Sequence, residues 1–384
     1  MRHHLQAAFF RSLFIGASPP YLELAVRRAH VVRDTATQLA AVRDARDLRR
    51  QIKAHFVGEP AVDEGGVARE LMALAARGVV APEYGLFTPC GRANEVVWFL
   101  SGLPVDREAA ADYELIGKLV GLALYNGIQL PIHFPLALFK KLMGEPLLLS
   151  DLAEIDPELA RGLQTLLEFP EEQVRETYCC SFTIAPPPPP GSMSGTDATA
   201  AMVELVPGGA DMELKGDNRK EYVAAVLNWH LNVVVADKFS MFQRGWDAVV
   251  AESSVKHLFN GGELMQVVLG DDEFDLDALA EAAVYDGGYS PESRVVQDFW
   301  AELKALSLAD QRRFLFFVTG SDRPPVGGLG RVVVVIMRQG PDSDRLPSAH
   351  TCFNVLLLPE YATREKVQVM VGRAVAHMEG FGLM

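Results

Sequence analysis

Cysteine is scarce in this chain, with four in 384 residues: Cys90, Cys179, Cys180 and Cys352. Cys179 and Cys180 are adjacent and poorly placed to bridge each other, so no disulfide framework is legible. A reducing compartment follows, with a cytoplasmic address expected and the nucleus also open. No metal-ligand spacing is present, and no Walker or dinucleotide pattern. Positive charge is also short. Lys and Arg number 36 against 50 Asp and Glu, a net charge of −14, which argues against nucleic-acid or anionic-membrane binding. Long apolar runs are missing too. The stretch Leu5 to Ala17 is interrupted by Arg11, and nothing approaches the ~18 residues of a membrane span. It reads as an amphipathic leading helix, with His3-His4 a solvated terminus. What remains is a chain that is 49% hydrophobic and 22% charged, long enough for two sizeable cores.

In chain order, Leu22, Leu24, Val26, Val31, Val32, Leu39 and Val42 fall at near-helical intervals, so a helix is expected from Tyr21 to Arg49. Ile52 to Phe56 reads as a short strand. Gly58 to Val67 is a turn into a helix, its Gly65-Gly66 pair read as structural rather than as a phosphate cradle. Tyr84–Phe87 and Val97–Leu100 read as small strands with core aromatics. Tyr113 to Asn126 is an apolar helix on which Gly117, Gly121 and Ala123 would let another helix approach closely. Asp156-Pro157 opens a further helix, and Thr177 to Ile184 reads as a strand. Pro186 to Pro190 and Gly191 to Thr196 form a stiff, then flexible, low-complexity loop. Asn218 opens a long helix to about Phe239, with Phe242 and Trp246 packing inward. After Leu264–Leu269 the apolar pattern breaks at Gly270-Asp271-Asp272. Beyond it, Asp275 caps a helix that ends before Gly287. Ser290-Pro291 opens a second, burying Val295, Phe299, Trp300 and Leu303. Ser307 caps a third that stops near Gly320, and Thr363 caps a last one ended by Gly380. Phe381 lies past that stop and needs a pocket.

The chemistry points to Cys352. Val332–Met337 and Phe353–Leu358 read as buried strands, and Gln339 to Asp344 is turn-rich between them. Cys352 thus sits where an exposed loop re-enters a strand. In extended chain His350 and Cys352 share a side, and an imidazole there would favour the thiolate, whose free pKa is ~8.5. On the residues alone, a nucleophile and a small buried hydrophobe both remain open.

Several motifs then act together. They are Leu346-Pro347-x-x-His350-Thr351-Cys352-Phe353-Asn354, Leu357-Leu358-Pro359-Glu360-Tyr361 and the terminus Glu379 to Met384. With them come Tyr285-Asp286-Gly287-Gly288-Tyr289, Thr319 to Gly328 and Val26 to Asp34. In this order and spacing the chain resembles the catalytic domain of HECT-type ubiquitin ligases, nearest the E6-associated-protein and HERC-like branch. The resemblance runs from about Tyr21 to the end. It implies an α+β, bilobal fold. Residues 1–20 would be an N-terminal extension and 21–269 a mainly helical N-lobe with small β elements. Within that lobe about 145–235 would form a smaller subdomain recruiting the conjugating enzyme, with the Pro/Gly/Ser-rich loop at 186–200. Residues 270–272 would be a hinge, and 273–384 a smaller α/β catalytic C-lobe.

The resemblance also implies residue roles. Cys352 would carry ubiquitin as a thioester, with His350, Thr351 and Asn354 orienting it and Phe381 serving the transfer step. Leu138, Leu142 and Phe182 would line the groove for the conjugating enzyme. The hinge would be Gly270, Asp271 and Asp272. Implied partners are a ubiquitin-conjugating enzyme, ubiquitin and a protein substrate, with no metal and no cofactor, no nucleic acid and no membrane span. Two other readings stand beside it: a cysteine hydrolase using Cys352 with a remote histidine, and an inactive scaffold for the conjugating enzyme.

Overall fold

The computed structural model describes residues 21–59, 66–92, 94–187, 202–251, 253–271, 273–351 and 353–376. The expected leading helix, the Gly380 stop and most of the low-complexity loop lie outside the described residues.

In chain order, β1 (Tyr21–Val26), α1 (Val31–Ala41), β2 (Gln51–Phe56), α2 (Gly66–Val80), β3 (Phe87–Cys90), β4 (Val96–Phe99) and α3 (Arg107–Asn126) come first. Next are α4 (Leu136–Met143), α5 (Leu149–Ile155), α6 (Pro157–Glu168), α7 (Val174–Tyr178), β5 (Thr183–Ile184) and β6 (Val203–Glu204). They are followed by α8 (Arg219–Asn228), a π turn (Trp229–Val233), α9 (Ala236–Val250), α10 (Val255–Leu258) and α11 (Gly261–Leu269). The last elements are α12 (Leu276–Ala282), β7 (Val284–Asp286), α13 (Arg294–Ala305), α14 (Leu308–Thr319), β8 (Val335–Arg338), β9 (Ser348–His350), β10 (Val355–Leu358) and α15 (Arg364–Ala376). The fold is α+β, and none of the described helices is long and apolar enough to cross a membrane.

Packing divides the chain into two compact units, one holding 76–121 and 132–265, the other the described parts of 21–75, 122–131 and 266–376. In the first, α3 and α9 touch backbone to backbone. A Cβ on Gly117 would lie 2.0 Å from the Phe242 carbonyl oxygen, and one on Gly245 would lie 2.0 Å from that of Glu114. On Gly121 it would meet the Val249 side chain at 2.8 Å. The expected close approach is therefore real, and reciprocal, because Gly245 supplies the second notch. Phe242 and Trp246 are fully buried, and Phe87, Phe99, Tyr113, Phe134 and Phe242 stack at tilted or edge-on angles around them. Asp156 accepts the Leu159 N–H at 2.9 Å ahead of Pro157, the cap that was expected.

In the second unit a four-stranded sheet runs β7-β8-β10-β9, with β7 and β10 parallel to β8 and β9 antiparallel to β10. Helices α13, α14 and α15 supply a core of Val295, Phe299, Leu303, Phe314, Val318, Val367 and Val371 against Ile336, Leu356 and Leu358. Burying each of the larger side chains contributes about 1.5–3 kcal/mol. The caps read from sequence are in place. Asp275 accepts from Asp277 N and Ala278 N, Ser307 from Asp310 N, and Thr363 from Lys366 N. Gly320 ends α14 in the left-handed region at φ +79°.

Several expectations fail. Tyr21–Val26 is a strand, paired in parallel with β2 and alternately exposed and buried. Leu22, Leu24 and Val26 repeat every two residues, and the helical pattern belongs only to α1. The expected strand over Thr177–Ile184 is instead the end of α7, a left-handed Cys179 and a two-residue strand. The long helix from Asn218 is broken by the π turn. Ser290-Pro291 lies in a turn, and α13 begins at Arg294. Strands β7 and β9 were not foreseen, each being three residues long.

Candidate active site

The Cys352 segment is a hairpin tip. Residues His350 and Val355 are register partners of β9 and β10, so positions 351–354 connect the two strands. The Phe353 N–H donates to the His350 carbonyl at 3.1 Å, closing a turn. Asn354 then takes a left-handed φ of +51°, a conformation Asn tolerates better than most residues. Its carbonyl accepts the Val335 N–H at 2.9 Å, and its Nδ2 donates to the Val333 carbonyl at 3.4 Å. Both bonds sew the tip to the start of β8. The Asn354 Oδ1 is buried and has no hydrogen-bond partner among the described residues.

Cys352 itself lies outside the described residues, as do Asp272 and Phe381. The described flanks are His350, exposed at the end of β9, and Thr351, half-buried. The same-side relation of His350 and Cys352 rested on extended backbone, which the turn ends at His350, so it no longer follows. Phe353 also departs from expectation. Read as the first residue of a buried strand, it is 61% exposed, and Val333, two residues before β8, is 48% exposed. The buried strands start two residues later, at Val335 and Val355. Both are apolar side chains in solvent, a feature hidden in sequence by the continuous apolar runs.

The groove residues are placed differently from the expectation. Leu138, Leu142 and Phe182 are each no more than 1% exposed, so none presents a side chain to a partner. Leu138 and Leu142 form the buried face of α4. On its other side, Lys141 donates to the Leu231 carbonyl in the π turn, and burial pushes its amine down to about 8. Phe182 packs edge-on against Tyr222 of α8 at 5.2 Å, and its N–H reaches the carbonyls of Gly209 and Met212, each at 3.0 Å. The Leu205 N–H returns to the Phe182 carbonyl at 2.8 Å. Phe182 is therefore an interior clamp on the 202–212 segment. Met202 and Met212, at the two ends of that segment, are both exposed. Phe182→Ala is accordingly expected to cost ~3–5 kcal/mol of local stability, seen as a lower melting temperature. A melt unchanged from wild type would return Phe182 to the surface.

Of the proposed hinge, Gly270 has φ +89° and Asp271 donates its N–H to the Pro324 carbonyl at 2.8 Å. Among the described residues no cluster of His, Cys, Asp and Glu could hold a metal. Cys90, Cys179 and Cys180 are free thiols, and burial pushes those of Cys90 and Cys180 up, Cys90 to about 12. Neither of these two is poised as a thiolate.

The chain is 36% identical over 367 residues to Probable E3 ubiquitin-protein ligase HERC3 of Homo sapiens, spanning 96% of this chain and 34% of that protein. It is 34% identical over 404 residues to Probable E3 ubiquitin-protein ligase mug30 of Schizosaccharomyces pombe, covering 98% of this chain and 48% of that one. It is 33% identical over 377 residues to Probable E3 ubiquitin-protein ligase HECTD2 of Homo sapiens, covering 94% and 46%. The chain thus spans a third to a half of the length of these relatives. The profile of one family matches residues 73–384, most of the chain and all of the sheet that carries the hairpin, and the chain belongs to that family, the HECT-domain (ubiquitin-transferase) proteins.

Proposed function

We propose that this chain is the catalytic part of a ubiquitin-protein ligase that carries ubiquitin on Cys352. The observation that supports the reading is the antiparallel pair β9 and β10, part of a packed sheet, with exposed Phe353 between the two strands. The chemistry is two acyl transfers. The Cys352 thiolate attacks the thioester carbonyl of ubiquitin on a conjugating enzyme, a new C–S bond forms, and the enzyme's thiolate leaves. A substrate lysine amine then attacks the Cys352 thioester, loses its proton, and the Cys352 thiolate leaves. The first exchange is near energy-neutral, so positioning supplies most of the catalysis. Thr351 and Asn354 flank the thioester, and Asn354 fixes the tip through its left-handed backbone and its bonds to β8.

In the same reading, residues 21–269 and 273–384 act as two lobes about 270–272. The conjugating enzyme docks on the 145–235 subdomain, against the exposed Met202 and Met212. Methionine suits such a surface, being flexible and polarisable. The address is cytoplasmic, consistent with free thiols at Cys90, Cys179 and Cys180. The test is to mix the chain with charged conjugating enzymes and compare non-reducing with reducing gels. A reductant-sensitive ubiquitin adduct is expected. Release of free ubiquitin with no adduct and no ligated product would overturn the reading in favour of a hydrolase.

Phe381 serves the second step. Docking one aromatic ring contributes ~1–3 kcal/mol, about a tenfold or larger shift in a two-state population. Phe381→Ala is therefore expected to leave thioester formation intact and to slow isopeptide formation by about tenfold or more. Pulse-chase from preloaded Cys352 reads this directly, and equal chase rates would remove Phe381 from the transfer step.

A further inference from the structure

Strand β10 lies between β8 and β9, so the chain leaving β8 crosses the end of β10 to reach β9. Residues 339–347 make that crossing, and they are fastened along their length to the segment that joins β10 to α15. The Gln339 N–H donates to the Leu358 carbonyl at 2.9 Å, and the Glu360 N–H to the Gly340 carbonyl at 3.2 Å. The Ala362 N–H donates to Asp342 Oδ1 at 3.2 Å. Lys366, in the first turn of α15, pairs with Asp342 at 2.9 Å and with Asp344 at 3.1 Å. The hydroxyl of buried Tyr361 donates to the Arg345 carbonyl. All of these residues belong to the second compact unit.

Strand β9 needs such an arch. It is an edge strand of Ser348, Ala349 and His350, paired with β10 at three positions and without a β-branched side chain. Ala349 is only partly buried against the core. A strand of this kind specifies its register weakly, and a slip of one residue turns each side chain to the other face. Such a slip moves β9 by ~3.3 Å along β10. With Arg345 held by Tyr361, only Leu346 and Pro347 remain to absorb the movement.

From this we infer that Tyr361 and Lys366 are positioning residues: through the 339–347 arch they set the register of β9, and with it the place of the 351–354 connection. The inference deepens the transferase reading above and rests on it for its kinetic consequence, since Cys352 belongs to that connection.

The test uses the full chain. Tyr361→Phe keeps the ring and removes the hydroxyl, and Lys366→Met removes the charge. Tyr289→Phe is the control, because it loses a hydroxyl bond to the Leu358 carbonyl, at 3.0 Å, on β10 rather than on the arch. In Tyr361→Phe, hydrogen exchange over 345–350 should rise about fivefold, the effect of one lost hydrogen bond. Single-turnover transfer of ubiquitin to the chain should slow about tenfold at saturating conjugating enzyme, as misplacement of a reacting group does. The half-saturating concentration of the conjugating enzyme should stay the same. Lys366→Met should act in the same direction, and Lys366→Arg should restore wild-type values. Unchanged exchange over 345–350 in both Tyr361→Phe and Lys366→Met overturns the inference. Raised exchange with unchanged transfer overturns it too, as does equal slowing in Tyr289→Phe, which marks general destabilisation. Should Tyr361→Phe fail to fold, Lys366→Met decides. Should the wild type form no ubiquitin adduct, the transferase reading falls, and exchange over 345–350 judges the hold of the arch on β9.

Discussion

Replacing Cys352 by alanine is expected to reduce ubiquitin adduct formation to background, with the fold intact. Its described neighbours are half-buried Thr351 and exposed Phe353. A thermal melt of the variant, with a shift of no more than about 0.5 kcal/mol as for changes outside the core, checks the fold. Loss of the adduct would then report chemistry and not unfolding. Cys352→Ser separates the two further: its hydroxyl should form an oxyester that survives thiol reductant, because an alkoxide is a poorer leaving group than a thiolate. Non-reducing and reducing gels beside a thermal melt give both readouts. A reductant-sensitive adduct on the alanine variant would move the nucleophile to another cysteine. Cys179, exposed at the end of α7, would be the first to examine.

The largest expected effect on stability lies far from that chemistry. Gly117→Ala would place a methyl 2.0 Å from the Phe242 carbonyl oxygen, well inside van der Waals contact, and Gly245→Ala would do the same against Glu114. The opposing atoms are backbone atoms of α9 and α3, so no side chain can swing away. Either substitution should force the helices apart and cost ~3 kcal/mol or more. The glycine-to-alanine change normally gains about 0.5–1 kcal/mol in a helix, so the sign of the result is informative. Gly162 in α6 is the control, because a Cβ there meets nothing within 4 Å. Gly162→Ala should raise the melting temperature slightly, while Gly117→Ala and Gly245→Ala lower it by many degrees. Similar shifts at all three positions would show that α3 and α9 do not pack at these notches.

Gly117 and Gly121 were legible as notches because small residues four apart have few other uses in an apolar helix. Gly245 was not, since its partner sits more than a hundred residues away. The caps at Asp156, Asp275, Ser307 and Thr363 were readable because capping is decided within four residues. Strand β1 was missed because spacings of two and four overlap, and Leu22, Leu24 and Val26 fit either period until burial decides. The hairpin at 350–355 was read as a loop because β9 is three residues of Ser, Ala and His, with no β-branched residue to mark it. Phe182 shows a different limit. An aromatic flanked by Ser181 and Thr183 gives no local sign of whether it faces a groove or a core, and only the 202–212 segment folding over it decides.

The discontinuity of the second compact unit has a consequence for how the chain is made. Its first segment ends at Ala75 and its last begins at Gln266, with only 122–131 between. At ~5–20 residues per second of synthesis, the roughly 190 intervening residues take on the order of 10–40 s to emerge. During that interval β1 and β2 exist as a two-stranded parallel ribbon, too small to be stable alone. Leu22, Leu24, Val26, Ile52 and Phe56 are all buried in the finished fold. Nascent chains stalled before Gln266 should therefore be clients for holding chaperones, whereas the sheet bearing the hairpin is made from sequence within one late stretch, from Val284 to Leu358, and can assemble as soon as that stretch is released.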